Sequence, residues 1–147
     1  MIKKIKKIIF FVLQFFVKKK ISTVHQNGIE FKVETQDKLG ESWNLINNYD
    51  LSEFQIFEKT NASEIKLVHY YGCHQCIIPI KIQKIFLPDS QFFCFEAIKK
   101  NYQIGLSNIK LNNCEEKIKI LNEAISTKNG FEYFDYFSLN SFKTKKS

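Results

Sequence analysis

Residues 70–79 read Tyr-Tyr-Gly-Cys-His-Gln-Cys-Ile-Ile-Pro, with Cys73 and Cys76 three apart between two apolar runs. Three chemistries use such a stretch. A redox dithiol would sit at a helix N-terminus after a strand, where the helix dipole lowers a thiol pKa. A thioredoxin-like chain would also set a proline segment against the dithiol, and the only other proline is Pro88, just past the expected helix. A structural zinc needs four ligands, commonly from two paired knuckles. One pair is present, and Cys94 and Cys114 stand singly in sequence. Both read as small buried apolar residues, so no metal ligands are assigned. The third chemistry is nucleotide-type binding. Gly72 directly after a strand allows a tight turn, and Glu96 follows 24 residues later at the end of the next strand. That is the spacing at which an acid hydrogen-bonds ribose hydroxyls in Rossmann-like sites.

The elements that must position these residues follow from periodicity. "EIKLVHYY" reads as a strand with β-branched and aromatic bias. "IIPIKIQKIF" reads as a helix with Ile78, Ile82, Ile85 and Phe86 on one face, and it tolerates Pro79 only in its first turn. "QFFCFE" reads as a short buried strand ending in an acid. "AIKKNYQIGLSNIKLNN" reads as a second helix, with Ile98, Tyr102, Leu106 and Ile109 at the helical period, and "KIKILN" as a third strand. Strands alternating with helices imply a parallel sheet of βαβ units, whose ligands sit outside the carboxyl ends of the strands. Upstream, "STVHQNGIEFKVE" reads as a hairpin around Asn27-Gly28. "DLSEFQIFEKTN" reads as a helix capped by Asp50 or Ser52 with Leu51, Phe54 and Phe57 on one side. Trp43, between the two, reads as a core residue.

The chain has 147 residues, enough for one domain. Its 44% hydrophobic content and only 5 glycines exclude disorder over most of the length. Four irregularly spaced cysteines do not form a secreted disulfide scaffold, so the compartment reads as reducing and cytoplasmic. The net charge of +7 is confined to one arm: seven of the 22 basic residues lie in the first 20 positions, and the remaining 15 balance 15 acids. A nucleic-acid-binding domain would spread basic residues over a folded face, so none is expected as a partner. The arm's apolar run, Ile8 to Val17, is about half the length of a bilayer span, and lysines rather than small residues follow it. Two readings of the arm stay open. One is a basic helix lying in a membrane interface; the other is a helix packed on its own domain.

Residues 65–127 resemble the first half of the FkbM-type S-adenosylmethionine-dependent methyltransferases. Gly72-Cys73-His74-Gln75 stands at the glycine loop and Phe95-Glu96-Ala97 at the acidic strand end. Asn108, Leu111, Asn112 and Asn113 stand at the second helix ending, and Asn122-Glu123-Ala124 at the third strand end. The resemblance implies an α/β, Rossmann-like fold of the class I methyltransferase kind. Its cofactor would be S-adenosylmethionine, contacted by Tyr70, Gly72, Cys73, His74, Gln75, Glu96, Ala97, Glu123 and Ala124. Gly72 to Cys76 would pass the methionine part, Glu96 would hold the ribose hydroxyls, and Glu123-Ala124 would border the adenine. The acceptor would be a hydroxyl of a sugar, glycan or natural product. Tyr70 stands where the family has an acid and Cys76 where it has a glycine, whose replacement would narrow the cofactor's approach.

The expected organisation is a basic N-terminal helix (1–20), a hairpin and helix lead-in (21–64), and a partial cofactor-binding domain (65–147). The family's later strands have no counterpart after residue 130. The sheet is therefore expected to be incomplete, with an oligomer or partner chain completing it and the aromatic run Phe131 to Phe137 exposed. Two other functions stay open: a thiol-disulfide protein using Cys73 and Cys76, and a non-catalytic interaction module.

Overall fold

The computed structural model describes residues 20–45, 52–59 and 61–130. Asn27 and Gly28 both take positive φ, 52° and 75°, as a two-residue hairpin turn requires. They join β1 (Lys20–Gln26) to β2 (Ile29–Thr35), antiparallel with Gln26 opposite Ile29. Phe31 and Val33 of β2 are buried in the core. Two helices follow, α1 (Lys38–Leu45) and α2 (Ser52–Lys59). The sequence reading places no helix at 38–45. Asp37 starts it by accepting the Gly40 amide at 2.7 Å on its side chain, a capping bond hidden in a polar stretch. On α2, Phe54 is buried and Ile56 exposed, and Phe54 and Phe57 both stack on Phe86. The basic arm up to residue 19, Asp50, Leu51, the side chains of Trp43 and Ser52, and the run Phe131 to Phe137 lie outside the described residues.

The remainder is the expected alternation: β3 (Leu67–Tyr71), α3 (Ile77–Ile85), β4 (Gln91–Phe95), α4 (Lys99–Leu111) and β5 (Ile118–Leu121). The three strands are parallel in the order β3-β4-β5, with Tyr70 beside Cys94 and Cys94 beside Ile120. This is an α/β fold with a Rossmann-like parallel sheet, incomplete at three strands among the described residues. Cys76 is the N-cap of α3, so Pro79 falls in the first turn, where its missing N–H breaks no helical bond. Residues Ile77 to Gln83 are all buried, not one face of the helix alone. On α4 the buried stripe is Asn101, Ile104, Gly105, Asn108 and Ile109. The sequence reading has the period right and the face displaced: Leu106 is exposed, and two asparagines point inward.

The sheet is covered on one side. Phe92, Cys94, Ile118 and Ile120 are buried, with Val68 and Tyr70 packed against them. The opposite face carries Leu67, His69, Tyr71, Phe93, Phe95, Lys119 and Leu121. Leu67 is 53% exposed and Tyr71 57%. The His69 ring stands edge-on to Tyr71, Phe93 and Phe95. The expectation of a buried strand at 91–96 holds for one face: Phe92 and Cys94 are buried, while Phe93 and Phe95 are half-buried, because no described element covers their side. No helix among the described residues is long and apolar enough to cross a membrane.

Candidate functional site

The carboxyl ends of β3, β4 and β5 converge through a few bonds. The Phe95 carbonyl accepts from the amides of Gly72 (2.9 Å) and Cys73 (3.0 Å), which turns the chain sharply out of β3. Glu96 follows on β4. Its Oε2 accepts the His74 amide and its Oε1 the Ile98 amide, each at 2.8 Å. One carboxylate thus fastens the loop after β3 to the start of α4. From β5, the Asn122 side-chain amide donates to the carbonyls of Glu96 (2.8 Å) and Ala97 (3.1 Å). Burial pushes the Glu96 carboxyl above its usual pKa, and the Ile98 and His74 amides work against that.

The loop is wound left-handed at alternate residues, Gly72 (φ 70°), His74 (51°) and Cys76 (61°). A non-glycine residue there costs about 1–2 kcal/mol, so the two must be held by their contacts. His74 Nε2 lies 3.4 Å from Asp37 Oδ2. Gln75 Nε2 donates to the same oxygen at 2.8 Å, and the Gln75 carbonyl accepts from Asn108. Burial would raise Asp37, but His74, the Gly40 amide and the Lys100 charge prevail and hold its carboxyl below the usual value.

The side chain of Cys76 does not line the exposed side of the loop, where the sequence reading expects it to narrow an approach. It is fully buried and joins Cys73 and Cys94, with the three sulfurs all within 4.8 Å of one another. The view of Cys94 as standing singly is corrected here. Its register beside Tyr70 on the inner face of β4 carries it beneath the loop. All four cysteines are free. Hydrogen bonds from Cys73 and Cys76 bring Cys94 down to about 5 against the effect of burial. The bonds with Cys73 and Cys94, together with burial, push Cys76 up. For Cys73 the bond with Cys76 favours the thiolate, but the bond with Cys94 and burial prevail and raise it.

Of the residues singled out from sequence, Gly72 to Gln75, Glu96 and Ala97 come together. Glu123 and Ala124 are exposed just beyond β5, next to Asn122. Tyr70 packs against the core, and the Gln75 side chain is fully buried against Asp37. Sequence reasoning misses Asp37 and the joining role of Asn122. The signal for Asp37 was a cap residue three before a glycine amide. A shallow cleft of about 170 Å³ between β2 and α4 is lined by Glu34, Gln36, Lys100, Gln103, Ile104 and Ser107. It is smaller than the roughly 300 Å³ at which small-molecule pockets begin.

The fold and the loop define an α/β protein with a Rossmann-like sheet and a glycine turn at its carboxyl edge. No family model matches the sequence, and no curated protein is significantly similar. Two solved forms of the StiE O-methyltransferase, residues 942–1257 and 961–1257, are each 15% identical with a TM-score of 0.48; they cover 58% and 60% of this chain and 30% and 31% of their own. A protein of Pyrococcus horikoshii provisionally named a transferase has the same identity and TM-score, covering 73% of this chain and 37% of that one. The chain spans about a third of the length of these proteins.

Proposed function

We propose that the chain is the cofactor-binding half of an S-adenosylmethionine-dependent methyltransferase of FkbM type, transferring a methyl group to a hydroxyl of a sugar, glycan or natural product. The observation that carries this reading is the bond from the His74 amide to Glu96, which joins the glycine loop to the acidic strand end across neighbouring parallel strands. The residues present fit the group. A side chain on Gly72 would meet nothing within 4 Å, so the backbone there is open to close approach. Each Glu96 oxygen accepts one amide and keeps a further lone pair.

When bound, the cofactor supplies an electrophilic sulfonium methyl. This chain's part is positioning. Gly72 admits the methionine part, Glu96 accepts from ribose hydroxyls, Asn122 fixes the β5 end beside it, and Glu123-Ala124 border the base. The reading assigns no general base, so binding and turnover are separate properties. The half-covered sheet supports a partial domain, since parallel sheets are normally covered on both faces. Its completion would come from a further segment or a second chain. Calorimetric titration with S-adenosylmethionine tests the reading, with saturable heat and a raised Tm expected, both weakened in Glu96→Ala. No heat and no thermal shift up to millimolar ligand would sink it.

A further inference from the structure

We propose that Cys73, Cys76 and Cys94 form a three-thiolate site for a soft metal ion, with monovalent copper as the ion that fits. The inference stands apart from the cofactor reading. Three separate pieces of the fold supply the sulfurs: the loop after β3, the N-cap of α3 and the penultimate residue of β4. All three are buried, and among the described residues no fourth Cys, His, Asp or Glu joins the group. That count selects the metal. Structural zinc takes four ligands, zinc on three keeps an open water position that these buried sulfurs do not offer, and iron–sulfur clusters typically take four cysteines, whereas soft thiolates without further donors suit copper(I). His74 is next to the cluster in sequence, but its Nε2 faces Asp37.

A trigonal ion with metal–sulfur bonds of about 2.3 Å spaces its sulfurs about 4 Å apart. The observed spread, within 4.8 Å, closes onto that with small side-chain movements. Binding exchanges the S–H protons of Cys73 and Cys76 for one Cu⁺, Cys94 entering as the thiolate that its neighbours' bonds already favour, and the protons leave to solvent. The negative charge so created lies at the first turn of α3, whose dipole favours it. Cys114 is the internal control. It is buried too, but its thiol donates to the Asn112 carbonyl, outside the cluster.

The test is competition for copper(I) held by bicinchoninate, using the reduced full-length chain without oxygen. Wild type and Cys114→Ser should each withdraw one equivalent from the coloured chelate. Cys73→Ser, Cys76→Ser and Cys94→Ser should each lose more than the roughly 10–100-fold that changes outside the ligand shell cost. X-ray absorption on the loaded wild type should show three sulfur scatterers, a readout that survives if a serine variant fails to fold. The proposal is overturned by a wild type that takes no copper, by a Cys114→Ser loss equal to that of Cys94→Ser, or by a shell containing nitrogen or only two sulfurs.

Discussion

Asn108 of α4 and Asn112, the C-cap one turn further on, each hold both backbone groups of a single β2 residue. Asn108 accepts from the Glu34 amide (2.7 Å) and donates to its carbonyl (3.0 Å); Asn112 does the same with Lys32 (3.1 and 2.8 Å). In a hairpin with this turn, alternate residues of β2 face away from β1 and leave these groups open. Four helical residues rise about 6 Å and two strand residues about 6.8 Å, so the spacings match. The helix stands in for a neighbouring strand. Asn108 also donates to the Gln75 carbonyl at 2.8 Å. Asn108→Ala is therefore expected to cost about 2–3 kcal/mol, and Asn112→Ala about 1–2, because the former strands more buried partners. Urea unfolding midpoints check the order, and losses below about 0.5 kcal/mol at both sites would contradict it.

Gly105 is where α4 packs against Ile120 of β5 and Cys76 at the start of α3. A Cβ there would lie 2.7 Å from Ile120 Cδ1 and 3.3 Å from Cys76 Cβ. Alanine gains about 1 kcal/mol in helix propensity, but overpacking costs about 1–3 kcal/mol. The Ile120 methyl can move, whereas the Cys76 Cβ sits on a fixed left-handed backbone. Gly105→Ala is expected to lower stability by about 1 kcal/mol net, and a raised Tm would refute the close packing.

Acid should act through Asp37. Its folded pKa lies below its ordinary 3.8, so its contribution is present above that value and lost as pH falls through the folded pKa. Glu96 has the opposite sign. Its pKa is raised above the ordinary 4.5, so its contribution is present below that value and lost as pH rises through the folded pKa. Asp37→Asn keeps the cap but should flatten the acid-side loss below pH 3.8 and cost about 1 kcal/mol at neutral pH, through the lost carboxylate that Gln75 and His74 face. Chemical unfolding across the acid range measures both, and an unchanged slope would remove Asp37 from the account.

Alkali should act through Lys81. The side chain is fully buried, with Nζ donating to the Asn44 carbonyl at 3.0 Å, and desolvation lowers its pKa to about 8. Between about 8 and the ordinary 10.5 the unfolded chain binds the extra proton, so this residue's contribution to stability rises with pH. The thiols also titrate in this range, so the informative quantity is the difference between wild type and Lys81→Met. That difference should move in favour of wild type as pH rises, and a flat difference would overturn the assignment.

The order of elements from β3 to β5 was legible because apolar periodicity switched cleanly from strand to helix and Pro79 could sit only in a first turn. The hairpin was legible from Asn27-Gly28. What escaped depends on contacts distant in sequence. Asn108 and Asn112 read as helix-ending residues, because nothing local says that β2 has open backbone groups 74 and 80 residues upstream. Cys94 read as a lone apolar residue, because its meeting with Cys73 and Cys76 depends on sheet register. The reading of 91–96 as a buried strand held for one face only, for a related reason: an aromatic-rich strand looks the same whether one of its faces is covered or both.

The Glu96 carboxylate, with its bonds to the His74 and Ile98 amides, is a splice between two chain segments. Without it they would lose their common anchor whether or not any ligand arrives. The scaffold itself needs an acid at this strand end, and the acid alone is therefore no gauge of chemistry beside it.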